Sequence, residues 1–185
     1  MAVIDRLVLR GDRVVLRAFD AGEAQSVLEH WLSSPHMVRT TRDRARMRRG
    51  LKRRIERSGR LVDGWLDLAM EAEGDLVGEI SARRPKGAIP PGVFELGIEI
   101  WSDSLRGRGY GSEAVELLTS HLFDAESAGR VQASTAVWNT PMRRVFGKLG
   151  FTEEGVMRGF MPTDDGRDDY VLYGVTRDEW IVRNG

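Results

Sequence analysis

The chain has 185 residues, 41% hydrophobic and 30% charged, with 28 basic and 28 acidic side chains and no cysteine. That suits one globular domain, 1–185, large enough for a core. No apolar run approaches the ~20 residues needed to span a bilayer, and the lack of cysteine removes disulfides, thiolate metal sites and cysteine nucleophiles.

The segment Met1–Arg10 is short and broken by charge, so it does not read as a signal peptide, and a cytoplasmic setting follows by default. Leu7 to Arg17 reads as a strand pair or a bent strand, with Gly11-Asp12 at the turn. Asp20 is a helix N-cap with Glu23 as capping-box partner. The apolar positions Ala24, Val27, Leu28, Trp31 and Leu32 recur at helical spacing up to a stop at Pro35. Next comes an arginine run from Arg39 through Arg42, Arg44, Arg46, Arg48, Arg49, Arg53, Arg54 and Arg57 to Arg60. It forms a second helix to about Arg57, with Met47, Leu51 and Ile55 as its apolar positions and Gly59 as its end. A phosphate-binding patch would use such a run, but no aromatic residues interleave it, so a solvated helix face is the better reading and nucleic acid is not the expected partner.

Trp65–Met70 and Leu76–Ala82 are strands joined by the hairpin turn Glu73-Gly74-Asp75. Pro85 to Gly92 is a loop. The strand Val93–Trp101 follows, then a glycine-rich segment, a helix over 112–126 and a strand over 131–138. Pro141 opens a short helix. Phe151–Arg158 and Asp169–Val175 pair as strands around a polar loop, Met161–Asp168. Strands cluster first and then alternate with helices, so the class is mixed α/β with a largely antiparallel sheet. His30, His36 and His121 are too scattered for a metal cluster.

The most informative stretch is Arg106-Gly107-Arg108-Gly109-Tyr110-Gly111. Glycines between a strand and a helix start let backbone N–H groups close on an anion, where the helix dipole adds to them. A dinucleotide fingerprint needs G-x-G-x-x-G, and position 112 is Ser. A Walker loop needs a Lys after its last glycine, and none follows Gly111. The pattern Arg106-x-x-Gly109-x-Gly111 instead resembles the acetyl-CoA pyrophosphate loop of the GNAT superfamily of N-acyltransferases. Asn139 after a strand, then a short helix and Leu149-Gly150-Phe151, look like the second half of that family's cofactor site. Val14-Val15-Leu16-Arg17, Asp169-Tyr170-Val171-Leu172-Tyr173 and Glu179-Trp180 resemble the branch that acetylates ribosomal-protein N-termini.

The resemblance implies that the strands carrying 93–101 and 131–138 splay apart around the pantetheine arm of acetyl-CoA. It implies that Gly107 to Gly111, including Tyr110, bind the pyrophosphate, with charge from Arg106 and Arg108. The backbone at Ile98 and Ile100 would pair with the pantetheine, Asn139 would hydrogen-bond it, and Arg143 would contact phosphate. Amine acetylation also needs a base. Strand alternation puts Glu95, Gly97 and Glu99 on one face, and Glu95 stands eleven residues before Arg106, where many relatives carry a base glutamate. Glu95 is the first choice and Glu99 the second. The acid breaks the pattern. Relatives place a Tyr seven residues after the Asn or a Ser three after it, and here these are Phe146 and Met142. Tyr170 and Tyr173 are the substitutes. The expected function is acetyl transfer to a primary amine, foremost a protein N-terminal amine. A small-amine or antibiotic acceptor and a non-catalytic acyl-CoA-binding module remain open, and a homodimer is compatible with the chain.

Overall fold

The computed structural model describes residues 6–33, 41–85, 92–164 and 166–184, with backbone alone for 41–44. The expected helix stop at Pro35, most of the loop after Pro85, His36, Arg39, Lys86, Asp165 and the side chains of Arg42 and Arg44 lie outside that description.

Eight strands form one sheet: β1 (Leu9–Arg10), β2 (Val15–Arg17), β3 (Trp65–Ala72), β4 (Asp75–Arg83), β5 (Val93–Ile100), β6 (Arg130–Ala136), β7 (Thr152–Thr163) and β8 (Gly166–Thr176). Their spatial order is β1-β2-β3-β4-β5-β6-β8-β7. Every pairing is antiparallel except β5 with β6. The helices are α1 (Ala24–Ser33), α2 (Thr41–Arg57), α3 (Tyr110–Asp124), α4 (Thr140–Lys148) and α5 (Arg177–Asn184). This is the mixed α/β architecture that the sequence predicts.

Burial follows strand alternation. Leu66, Leu68 and Met70 of β3, Ile80 and Ala82 of β4, Phe94 and Leu96 of β5 and Val131 and Ala133 of β6 face one core, which α3 covers with Ala114, Val115, Leu118 and Leu122. The opposite face carries a smaller core, where Val27 and Trp31 of α1 and Leu51 and Ile55 of α2 meet Phe19 and Ala69. Besides that stripe, α2 pairs Arg54 with Asp67 and Glu79 and Arg57 with Asp63, while Arg46, Arg48, Arg49, Lys52 and Arg53 stay exposed.

Three elements depart from the sequence reading. Met161 to Asp168 is not a loop: Met161 pairs with Asp168, Pro162 with Arg167 and Thr163 with Gly166, so the hairpin continues almost to its tip. α3 begins at Tyr110, because Gly109 at φ +87° caps it in a conformation that glycine tolerates. α5 is an additional helix. Thr176 and Glu179 cap it reciprocally, with Thr176 N–H donating to Glu179 Oε2 at 2.8 Å, and its Trp180 packs on Phe123 and Phe151.

Candidate active site

The β5–β6 pairing runs only from Val93 with Arg130 to Leu96 with Ala133. Beyond it the two strands part, leaving the β5 edge from Gly97 to Ile100 without a strand partner on that side. On its other side β5 stays zipped to β4, with Ile98 opposite Ile80 and Glu99 opposite Glu79. Gly78 permits this. A Cβ there would overlap the Glu99 carbonyl oxygen and lie 3.2 Å from Ile100 Cα.

Past the open end of β5, a 3-10 turn, Asp103–Leu105, capped by Ser102, leads into the glycine loop. Gly107 and Gly109 both have positive φ, +76° and +87°. Gly111 packs its bare Cα against the Ile98 and Ile100 side chains, where a Cβ would sit 3.4 Å from Ile100 Cδ1. Among the described residues, the N–H groups from Gly107 to Ser112 find no acceptor in the protein; the first bond of α3 is Glu113 N–H to Gly109 O, 3.1 Å. These donors at a helix start form an anion cradle that opens beside the parted strands. Arg106 is ion-paired to Asp103 at 2.6 Å, and Arg108 is exposed.

The other face of β5 is acidic. Glu95 lies in the paired half, where its Oε1 meets Arg83 Nη2 at 2.5 Å. Glu99 lies in the parted half. Its Oε1 is 3.0 Å from His30 Nε2 of α1, off the alignment of a hydrogen bond, and the His30 ring stacks on Trp101 at 4.7 Å. Glu79, opposite Glu99 on β4, is 9% exposed. Arg54 Nη2 reaches Glu79 Oε1 at 3.3 Å and Asp67 Oδ1 at 2.9 Å, and Trp31 Nε1 donates to Glu79 Oε2 at 3.3 Å. Burial, with the nearby Glu99 and Asp67 charges, pushes the Glu79 carboxyl above its usual range against the pull of Arg54 and Trp31.

Residues 13–152 match the family described as Acetyltransferase (GNAT) domain. The chain belongs to that family. It is thus a GNAT-fold, acetyl-CoA-dependent acetyltransferase. It is 24% identical over 181 residues, 95% of this chain and 96% of the other, to the SPbeta prophage-derived uncharacterized N-acetyltransferase YokL of Bacillus subtilis. The fold is similar to the ribosomal-protein-S5-alanine acetyltransferase of Vibrio fischeri, with TM-score 0.76 and 17% identity, covering 94% of this chain and 98% of that one. It is also similar to Mycobacterium smegmatis RimJ in complex with CoA-disulfide, with TM-score 0.71 and 21% identity, covering 96% and 93%. At those identities the likeness carries the fold alone.

The remaining sequence-predicted residues of this acetyltransferase fall as follows. Asn139 ends the β6 side of the gap and N-caps α4: its Oδ1 accepts Met142 N–H at 3.3 Å and its Nδ2 donates to Thr135 Oγ1 at 3.0 Å. Arg143 spends its guanidinium inside the protein, on Tyr173 Oη at 3.2 Å, Val137 O at 3.1 Å and Glu153 Oε2 at 3.3 Å. Phe146 is 1% exposed and packed between Phe151 and Tyr173. The Tyr173 hydroxyl donates to Glu153 at 2.8 Å, and burial raises its pKa. Tyr170 lies opposite Ala136 on β6, its ring tilted against Phe160 with centroids 5.5 Å apart. Burial foremost, then the Asp168 charge, raises its pKa too. Of the acidic stretch near the hairpin tip, Asp168 accepts from Trp138 Nε1 at 2.9 Å and Asp169 from Gly159 N–H at 2.6 Å.

Sequence reasoning missed His30, Gly78 and Glu79. His30 and Glu79 carried no local motif. Gly78 stood inside a strand pattern, where a lone glycine signals close backbone approach, and that signal was available.

Proposed function

We propose that the chain acetylates a protein N-terminal amine, with Glu99 as general base. The observation that carries this is the position of Glu99: it projects from the parted half of β5, on the face covered by α1 and α2 and away from the glycine loop. Glu95 is the alternative base, set back in the paired half and neutralised by Arg83.

Acetyl-CoA would supply the thioester when bound; the Gly107–Ser112 N–H groups would hold its pyrophosphate and the open β5 edge its pantetheine. The chain's own part begins with the amine. An ammonium entering from the α1–α2 face meets the Glu79 and Glu99 carboxylates, which lower the energy of the charged form before reaction. Glu99 takes the proton, directly or through water, as the nitrogen bonds to the thioester carbon. The carbon–sulfur bond then breaks with its electron pair on sulfur. Tyr170 is the hydroxyl on this face of β8 to return a proton there, since Tyr173 is committed to Glu153 and Arg143. A polypeptide acceptor is supported by the similarity in fold to a ribosomal-protein-S5-alanine acetyltransferase and by α2. That helix presents Arg46, Arg48, Arg49, Lys52 and Arg53 to solvent at the edge of the acceptor face, which suits an acidic chain better than a polycationic antibiotic. A cytoplasmic setting goes with that reading.

The test is Glu99→Gln beside Glu95→Gln. Loss of a general base lowers turnover by ~100-fold or more, and Glu99→Gln is expected to do so with acetyl-CoA affinity unchanged, while Glu95→Gln stays within about 10-fold of the parent. The reverse order transfers the role to Glu95. Near-parental turnover in both variants removes both β5 carboxylates as the base.

A further inference from the structure

A second cation faces the glycine loop from elsewhere in the chain. The turn between β1 and β2 is closed by Gly11 N–H to Val14 O at 2.9 Å, and it wraps around one carboxylate, that of Glu113 in the first turn of α3. Asp12 N–H donates to Glu113 Oε1 at 3.0 Å, and Arg13 and Val14 N–H donate to Oε2 at 2.8 and 2.7 Å. Gly11 makes the approach possible, since a Cβ there would lie 2.5 Å from Glu113 Cδ. The hairpin is therefore locked to α3 one helical turn from Gly109. That lock aims Arg13 across the loop: a Cβ on Gly109 would lie 3.3 Å from Arg13 Cδ, 3.4 Å from Nε and 3.8 Å from Cζ. The guanidinium has only a loose pairing, 3.9 Å from Nη1 to Glu113 Oε1, and its side chain is 59% exposed. Glu113 already has three backbone N–H donors, so its charge is largely answered without Arg13.

Resting on the cofactor reading above, we propose that Arg13 is a cofactor-binding residue that pairs with the pyrophosphate of acetyl-CoA, closing from the N-terminal hairpin the cradle that Gly107–Ser112 opens. The chemistry suits a guanidinium, whose planar donors match two phosphate oxygens at once. Arg106 is occupied by Asp103, which leaves Arg13 and Arg108 to supply charge. The hairpin thereby becomes part of the cofactor site although it lies some hundred residues earlier in the chain.

Isothermal titration of the full chain with CoA and with dephospho-CoA, which keeps the pyrophosphate and lacks the 3′-phosphate, tests this without reference to turnover. Arg13→Ala is expected to weaken both ligands by the same factor, about 10-fold, and to flatten the salt dependence of binding. Arg13→Lys, which keeps charge but not the fork, is expected to fall between. The exposed side chain makes an unchanged apo melting temperature the expected control. Equal affinities for parent and Arg13→Ala overturn the proposal while leaving the cofactor reading intact. A loss confined to CoA overturns it as well, by assigning Arg13 to the 3′-phosphate. A parent chain that binds neither ligand removes the cofactor reading, and this proposal with it.

Discussion

Replacing Glu113 by Ala probes how the N-terminal hairpin is held. The Glu113 carboxylate, 13% exposed, accepts three backbone N–H groups at 2.7–3.0 Å. A bond to a charged acceptor is worth ~1.5–3 kcal/mol net, but a donor that can reach water recovers most of that. Asp12 and Arg13 are exposed and rehydrate, whereas Val14 is 1% exposed and its N–H is left stranded. The cost is then set mainly by one buried orphan donor plus two weakened bonds, about 2–4 kcal/mol. For a chain of this size that corresponds to a fall in Tm of about 5–15 °C. Glu113→Gln keeps one acceptor oxygen and should lose about half as much. A double-mutant cycle sharpens the test: Gly11→Ala, which pushes its Cβ into the carboxylate, should destabilise the parent but be nearly neutral once Glu113 is Ala. Melting curves followed by circular dichroism measure all four proteins. A Glu113→Ala protein melting within about 1 °C of the parent, or strictly additive effects with Gly11→Ala, refutes the reasoning.

Gly78→Ala forces a methyl group against the Glu99 carbonyl; it should cost ~1–3 kcal/mol in overpacking and lower turnover further than stability alone explains, and unchanged melting and turnover would show that β5 has room to move. The Glu23 carboxyl is lowered from its ordinary value of 4.5: burial pushes it up, and the Arg17 hydrogen bond, the Asp20 N–H and the Arg17 charge outweigh that. A folded-state value below the unfolded one gives stability that is present above about pH 4.5 and is lost as pH falls through the folded value. Glu23→Gln should therefore destabilise by ~1–3 kcal/mol at neutral pH, with the gap to the parent closing in acid; a gap that is constant from pH 7 to pH 3 contradicts the pairing.

What could be read from the sequence was whatever chemistry is local. The loop Gly107–Gly111 was legible because turn geometry and a helix start both constrain adjacent residues. The same is true of Glu23 as a capping partner, which reaches the Asp20 N–H at 2.7 Å. α5 was overlooked although Thr176-Arg177-Asp178-Glu179 spells a capping box; its single buried side chain, Trp180, gave no periodicity to count. The continued β7–β8 hairpin was hidden by its polar, glycine-bearing tip, where cross-strand backbone bonds rather than apolar side chains hold the pairing. The site's tertiary parts were least legible. Glu79 reads as one more strand carboxylate until β5 sets Glu99 beside it and α2 delivers Arg54. His30 reads as the end of an amphipathic helix until Trp101 comes beneath it. Arg13 comes beside the glycine loop only because Glu113 pulls the hairpin onto α3.

The most direct test of acetyl transfer to an N-terminal amine is to incubate the purified chain with acetyl-CoA and a panel of peptides and small amines, and to follow each acceptor by mass spectrometry. The expected result is the gain of one acetyl group at the α-amine of a subset of peptides, matched by released CoA and abolished by Gly109→Asp, which places a carboxylate in the N–H cradle. Tight acetyl-CoA binding with no acetylated acceptor would contradict the account and make the chain an acyl-CoA-binding module instead.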